Sequence, residues 1–141
     1  MEQQEQKCVM VIDASLPLGL IANTAAILGT TLGSAKPDVV GRSVTDAAGG
    51  THLGINTVPT TVLQASEERL RELRLRLYEP EFEDLVVVDF SDVAQRIQIY
   101  EDYLSEAERT RTEEFRYFGL ALYGNKKSVN RLTGMLPLLR A

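Results

Sequence analysis

The run "KCVMVID" (residues 7–13) constrains the fold most, because it is continuously apolar, rich in β-branched residues and closed by an acid. A strand with one face in water alternates apolar and polar residues, whereas a strand covered on both faces reads as a continuous apolar run. The sheet that contains this strand must therefore carry helices on both faces. We expect a central strand of an α/β domain.

The segment that follows, Ala14 to Ala35, carries no charge over 22 residues, which is long enough to span a membrane. It contains Pro17, Gly19 and Asn23, and it continues directly from a strand. These features favour a helix that covers the sheet over a membrane span. An adjacent stripe of small residues on this helix allows the close approach of a second element, either the sheet or another subunit; it comprises Ala22, Ala26, Gly29 and Gly33.

Strand and helix signals alternate along the rest of the chain. Strands are predicted at residues 55–63, 84–90 and 115–124, with a short last one at 135–139, and a helix separates each pair. Pro59 and Pro137 indicate lateral edge positions or irregularities, because proline cannot donate to a ladder. The order predicts one α/β domain over residues 1–141, with a mixed sheet of four to five strands covered by helices. Residues 1–6 are predicted to form a disordered tail.

Two serines are predicted to cap helices, Ser15 the first helix and Ser66 the second. The second helix carries four arginines, Arg69 among them, and acids at helical spacing partly pair with them. These arginines are therefore interpreted as a solvated helix face, the alternative being a nucleic-acid-binding stripe.

Composition narrows the class of protein. Hydrophobic residues make up 44% and charged residues 25%, which is typical of a globular chain. Cys8 and His52 are the only cysteine and histidine, so neither an internal disulfide nor a Cys/His metal cluster can form, and a reducing compartment is expected. The opening "MEQQEQK" carries two acids, unlike a secretory leader, so we expect a cytoplasmic protein. No Walker, dinucleotide, zinc or kinase motif is present, and no cofactor is expected.

Charge is unevenly distributed along the chain. Residues 1–115 carry all 20 acids against 10 basic residues (10 − 20 = −10), whereas residues 116–141 carry five basic residues and no acid. Within the cationic part, Asn125 is predicted to cap a helix that places Lys126 and Lys127 in its first turn. Lysines are slightly unfavourable there, because the N-terminal end of the helix dipole carries a partial positive charge. An anion that lies between the lysines and the free backbone amides would remove this cost. Asn125, Lys126 and Lys127 therefore form a predicted phosphate or carboxylate site, the alternative being two solvated surface lysines.

Three further groups are candidates for chemistry. His52 follows Asp46 by six residues in a Gly-rich loop, which suits a general base or, alternatively, a histidine that satisfies loop hydrogen bonds. Asp13 and Asp89 each end an apolar run. If the two strands are adjacent and parallel, the carboxylates would form an acid/base or hydroxyl-binding pair. The alternative is that each aspartate caps the following helix or closes a turn. Asn23 stands in apolar surroundings, where a buried amide needs a structural partner or a ligand.

Read together, "KCVMVIDASLPLGLIANTAAILG" and "FGLALYGNKKSVNRLTGMLPLLR" resemble a widespread bacterial family of unknown function. That family is similar in fold to the type II peptidyl-tRNA hydrolases, which cleave the ester between a peptide and the terminal ribose of transfer RNA. The resemblance implies a type II peptidyl-tRNA hydrolase-like fold, a homodimer, and Asp89 near the place of an acid of those enzymes. Their "GKGK" turn is replaced here by "PLGL" (residues 17–20), and "FSDVAQ" follows Asp89 instead of a threonine-bearing turn, so hydrolysis is expected to be lost.

We expect a domain that binds a small anionic or phosphorylated ligand in one cavity shared by the first helix, the loop at residues 46–52 and the start of the last helix. The predicted ligand contacts are Asn23, Asp46, Asn125, Lys126 and Lys127. The alternative is a hydrolase acting on a peptidyl-tRNA or nucleotide-like ester, with His52 and Asp89 as catalytic residues. A further alternative is a protein-interaction module that uses the small-residue stripe of the first helix.

Overall fold

A computed structural model describes residues 5–140 of the chain. It contains a four-stranded mixed sheet with helices on both faces and a separate two-stranded hairpin. The strands are β1 (Gln6–Asp13), β2 (Val44–Thr45), β3 (Thr51–His52), β4 (Thr60–Ala65), β5 (Val86–Ser91) and β6 (Tyr117–Asn125). The helices are α1 (Leu18–Ala35), α2 (Glu67–Arg76), α3 (Asp92–Arg96), α4 (Tyr100–Arg109) and α5 (Lys126–Thr133). Residues 1–4 of the predicted tail lie outside the described residues, and β1 already begins at Gln6.

The main sheet has the strand order β4-β1-β6-β5. Strand β1 is parallel to β4, and β6 is antiparallel to both β1 and β5. The last residues of β1, β4 and β5 therefore lie at one end of the sheet, here called the carboxyl end. Asn125, at the end of β6, pairs with Gln6 at the opposite end, here called the amino end. The predicted mixed sheet covered by helices is confirmed.

Two apolar layers enclose the sheet. Helix α1 covers one face, where Leu28 and Leu32 pack with Met10 and other side chains of the sheet. Helices α2 and α5 cover the other face, where Leu70 and Leu132 belong to the same buried cluster as the sheet residues. All residues of β1 from 8 to 13 are buried, because both of its faces are covered and it has a neighbour on each side. The interpretation of the opening apolar run as a central strand is thus confirmed.

Helix α1 packs closely on the sheet through a few side chains, and most of its residues are at least partly exposed to solvent. Only Thr24, Leu28 and Leu32 are buried. A Cβ atom at Gly119 on β6 would lie 2.8 Å from the methyl group of Thr24, so glycine is what permits this close approach. By length and composition the helix could cross a membrane, with a mean hydropathy of 1.3, but core helices of soluble proteins pass the same test.

Some predicted boundaries were wrong. Ser15 does not cap α1, because its amide and hydroxyl both donate to Asp13. The strand predicted at residues 55–63 begins only at Thr60, directly after Pro59, which has no amide hydrogen to donate. The single helix predicted after β5 is divided into α3 and α4, because Ile97 and Ile99 adopt the extended backbone that β-branched residues favour.

The two lateral edges of the sheet differ. Along β4, the segment after α5 forms a short antiparallel ladder: the amide of Gln64 donates to the Pro137 carbonyl at 2.9 Å, and the amide of Leu139 donates to the Val62 carbonyl at 3.0 Å. Pro137 contributes only its carbonyl, which is the role that proline can take at an edge. Along β5, no strand within residues 5–140 pairs on the side away from β6.

Tyr117 gives the fold a dependence on alkaline pH. Its ring is buried, and desolvation, reinforced by the charge of Asp89, raises the pKa of its hydroxyl to about 12. Since the folded pKa lies above the unfolded value of about 10, the contribution of the neutral phenol is complete below pH 10 and is lost as the pH rises towards 12. We expect the free energy of unfolding to fall by about 2 kcal/mol across this window for this group alone.

The measurement is urea unfolding at several pH values from 9 to 12 with Tyr117→Phe beside the wild type. The variant should show a flatter profile, because phenylalanine has no proton to lose. Tyr78→Phe, at a residue that is 61% exposed, is the control and should follow the wild type. Parallel profiles for Tyr117→Phe and the wild type would contradict this assignment.

Candidate functional site

An open cleft of about 570 Å³ lies at the carboxyl end of the sheet. Its walls come from the residues that follow β1, the last residues of β4, the first turn of α2 and the segment after α5. In open α/β sheets, ligands bind outside the carboxyl ends of the strands, because loops diverge there and leave a crevice. This cleft is therefore the first place to look for a ligand site.

Asp13 lies at the base of this cleft, and its side chain is only 3% exposed. One carboxylate oxygen, Oδ1, accepts hydrogen bonds from the amide of Ser15 at 2.9 Å and from its hydroxyl at 2.7 Å. The other oxygen, Oδ2, has one long contact, 3.5 Å from a guanidinium nitrogen of Arg116. A carboxylate oxygen can accept two hydrogen bonds, so Oδ2 retains acceptor capacity.

Arg116 holds a central position among the charges of this end of the sheet. Besides Asp13, it contacts Glu67 at 3.5 Å, and its guanidinium lies 5.5 Å from the centroid of the Phe118 ring. The contact with Glu67 is made by its Nε atom, which is buried and forms no hydrogen bond within the described part of the chain. The guanidinium is therefore attracted by two carboxylates and bound tightly by neither.

The rim of the cleft carries a second cation. Arg69, in the first turn of α2, contacts Glu72 at 3.4 Å and the sulfur of Met135 at 3.6 Å. The same turn is capped by Ser66, whose hydroxyl accepts the amide hydrogen of Arg69 at 3.2 Å, as the sequence predicted. Arg69 is thus held at the mouth of the cleft with only weak contacts to its guanidinium, which suits it to a ligand anion.

His52 and Asp46 form a close pair on the β2–β3 hairpin. Their Nε2 and Oδ2 atoms are 2.7 Å apart, and both side chains are exposed. The Asp46 carboxylate also accepts the amides of Ala48 and Gly50, and these hydrogen bonds, with that of His52 the largest influence, lower its pKa. The arrangement organises the turn, and both roles predicted for His52, a general base and a partner in loop hydrogen bonds, include this contact.

The first turn of α5 has little capacity left for an anion. Asn125 Oδ1 accepts the amides of Lys127 at 2.8 Å and Ser128 at 3.4 Å, which confirms the predicted cap. The Lys126 amide donates to the Glu5 carbonyl, and its ammonium group lies 3.0 Å from the Glu5 carboxylate. A pocket beside Asn125 is lined by the acids Glu81 and Asp84. The amides that would hold a phosphate are therefore used within the fold.

Two other basic residues of the cationic segment also lie beside acids. Arg131 lies 2.7 Å from Glu81, and Arg116 contacts Asp13 and Glu67. The charge asymmetry of the sequence is therefore partly balanced in three dimensions, because these two arginines and Lys126 lie against acids from earlier in the chain.

The remaining candidates lie apart. Asp89 forms an ion pair with Arg74 at 2.9 Å, and β6 lies between its strand and β1, so it is not adjacent to Asp13. Asn23 is exposed on α1, not buried. Helix α1 and the start of α5 lie on opposite faces of the sheet, so the two cannot line one cavity. The predicted common cavity was therefore wrong.

Sequence reasoning found Asp13 but missed its surroundings. Arg69 was interpreted as part of a solvated helix face, and Arg116 was counted only as one charge in a cationic segment. No local signal could place Arg116 beside Asp13, because the two are 103 residues apart and meet only through the β1–β6 pairing. Within residues 5–140, no group of three or more His, Cys, Asp and Glu residues could hold a metal ion.

Comparisons with known proteins give one family and one solved structure of similar fold. A family model described as "Protein of unknown function (DUF2000)" matches residues 6–140. The solved structure of a protein of unknown function from Agrobacterium tumefaciens strain C58 is similar, with a TM-score of 0.87 and 18% sequence identity, and the match covers 99% of this chain and 100% of that chain. At this identity the likeness shows the fold alone. A search of the curated proteins gave no match.

Proposed function

Because the chain belongs to the DUF2000 family of proteins of unknown function, we propose a role from its own geometry: the carboxyl-end cleft binds a small organic anion. The observation that carries this proposal is the buried Asp13 carboxylate, whose Oδ2 atom keeps acceptor capacity at the base of a cleft of about 570 Å³. A volume of this size is typical of small-molecule sites.

The chemistry of the walls defines the class of ligand. Ala65, Leu136 and Pro137 give an apolar wall, which suits a hydrocarbon or ring body. Arg69 at the mouth suits a carboxylate or phosphate, and Asp13 at the base suits a hydroxyl or ammonium donor. The ligand is thus an anion with a hydrogen-bond donor at its other end, such as a hydroxy acid, an amino acid or a phosphorylated alcohol.

The test is a thermal-shift and calorimetry screen with hydroxy acids, amino acids, sugar phosphates and nucleotides. A ligand at 100 times its dissociation constant should stabilise the chain by about 2.7 kcal/mol. Arg69→Gln should weaken the binding of that ligand at least tenfold, because it removes the charge that faces the anion. Arg76→Gln, on the same helix but at its other end, should leave the affinity unchanged.

Two results would contradict the proposal. One is the absence of any stabilising compound in the panel. The other is a ligand whose affinity survives Arg69→Gln but is lost when Lys126 and Lys127 are both changed to Glu, because this would place the anion at the start of α5.

Ester hydrolysis on a type II peptidyl-tRNA hydrolase-like fold is the second candidate function. Its specific support is the 2.7 Å contact between His52 and Asp46, since a carboxylate that orients an imidazole is a common arrangement for a general base. The chain's net charge of −5 does not favour transfer RNA as the substrate. Its candidate base lies on the hairpin and outside the cleft, so hydrolysis would be insensitive to Arg69→Gln.

A further inference from the structure

Strand β5 leaves one side of its backbone unpaired at the lateral edge of the sheet. Its outer side has no strand partner within residues 5–140, whereas the opposite edge of the sheet is covered by the segment at residues 137–139. Natural sheets protect such edges with charges, prolines, bulges or a covering element. In β5, "VVVDFS", the charged residue Asp89 is paired with Arg74, and a register shift in the pairing with β6 lies only at the end of the strand, between Phe90 and Ser91. Residues 86–89 therefore have neither a proline nor a bulge.

A groove runs beside this open edge. It encloses about 320 Å³ between α1, which contributes Ile27 and Thr31, and the first turn of α4, which contributes Tyr100 and Tyr103. Val88 and Phe90 of β5 form its floor. The groove therefore places an apolar pocket directly next to unpaired backbone donors and acceptors.

Helix α4 forms the outer wall of this groove and is poorly covered. None of its residues is buried, and Ile99 and Tyr100 at its start are 64% and 67% exposed. The rings of Tyr100 and Tyr103 lie 5.6 Å apart, which gives a continuous aromatic surface. Aromatic side chains of this kind are enriched where proteins bind partners, because they bury a large area at low entropic cost.

The charge of α4 defines what can bind there. The helix carries Glu101, Asp102, Glu106 and Glu108 against Arg109, a net charge of −3 (1 − 4). Arg96 and Arg109 are both paired with Glu106, so the other three acids have no ion-pair partner in the described part of the chain. A second copy of the chain would bring another α4 of the same sign to this edge, whereas a basic segment would be attracted to it.

We propose that the β5 edge and the adjoining groove bind an extended, basic segment of another protein by strand addition. The backbone of the segment would pair with β5, one apolar side chain would fill the groove, and lysine or arginine residues would face the acids of α4. This is the binding mode in which main-chain hydrogen bonds give affinity and side-chain pockets give specificity. It is independent of the cleft, which lies between β1, β4 and α2.

The test selects peptides from a displayed library of random decapeptides against the full chain. Enriched peptides should alternate apolar residues and carry lysine or arginine. Backbone amides of β5 should exchange with solvent at least tenfold more slowly in the complex, because newly paired amides are protected. A peptide with every basic residue changed to glutamate should bind at least tenfold more weakly.

Matched variants locate the site. Thr31→Tyr, at an exposed position, should fill the groove and weaken peptide binding at least tenfold, whereas Thr30→Tyr, next to it and outside the groove, should change it less than twofold. The double change Glu101→Lys and Asp102→Lys should also weaken binding, and Glu68→Lys on α2 should not. Unchanged melting temperatures of all variants would show that they fold.

Several outcomes would overturn the proposal. They are a library without enrichment, peptides that bind wild type and Thr31→Tyr equally, or β5 amides that exchange at the same rate with and without peptide. A dimer in sedimentation that Thr31→Tyr dissociates would also overturn it, because a second copy would then be the occupant.

Discussion

Replacing Leu120 by alanine should lower the free energy of unfolding by about 3–5 kcal/mol. Leu120 is fully buried in the middle of β6, which has a paired strand on each side, and it belongs to the cluster beneath α2 and α5. Neighbours on a strand with two partners cannot move inward to fill the space, so the cost includes a cavity as well as the lost transfer free energy. For a chain of this size the melting temperature should fall by roughly 10–20 °C.

The measurement is urea unfolding followed by circular dichroism, with Leu75→Ala as the control. Leu75 is on α2 and is 43% exposed, so the same change of side chain should cost less than about 1 kcal/mol. Similar losses at both positions would mean that Leu120 does not lie in a tightly packed core.

Replacing Gly54 by alanine should open the base of the β2–β3 hairpin. A Cβ atom at residue 54 would lie 1.8 Å from the carbonyl oxygen of Gly41 and 2.5 Å from its carbonyl carbon. Both are backbone atoms, so no side-chain rotation can relieve the overlap. The two stems of the hairpin, joined by the hydrogen bond from the Gly41 amide to the Ile55 carbonyl at 2.9 Å, must separate.

Hydrogen exchange gives the readout for this variant. The amides of Gly41 and Thr57 should exchange at least tenfold faster, and amides in the centre of the main sheet should change little, because hairpin and sheet are separate ladders. Gly19→Ala is the control, since a Cβ atom there meets nothing within 4 Å. Unaltered protection at Gly41 and Thr57 in the Gly54 variant would contradict the close packing of the stems.

The features of the fold that could be predicted from the sequence are those that depend on residues close together along the chain. The apolar run of β1, the Ser66 cap of α2 and the Asn125 cap of α5 depend on local periodicity and hydrogen bonding, and all three were predicted. The hairpin was not, because its two strands are only two residues long and carry no alternation. The break between α3 and α4 was also missed, because Ile97 fits the apolar stripe of a continuous helix as well as it fits an extended segment.

The candidate site depended on contacts that are distant in sequence. The expected anion site at Lys126 overlooked Glu5, which is 121 residues earlier and reaches it only because β1 and β6 are paired. Asp13 was recognised as a strand-end acid, but its relation to Asp89 required the strand order, which periodicity does not determine. The sequence therefore predicted Asp13 as a candidate residue of the cleft, whereas the roles of Arg69 and Arg116 became clear only from the strand order.

The unequal lateral edges of the sheet have a consequence for the colloidal behaviour of the protein. Growth into a fibril needs two free sides on every particle, one for the preceding particle and one for the next. Here the segment at residues 137–139 occupies one side, so the main sheet cannot accept a neighbour at both edges and should not grow into a fibril in concentrated solution.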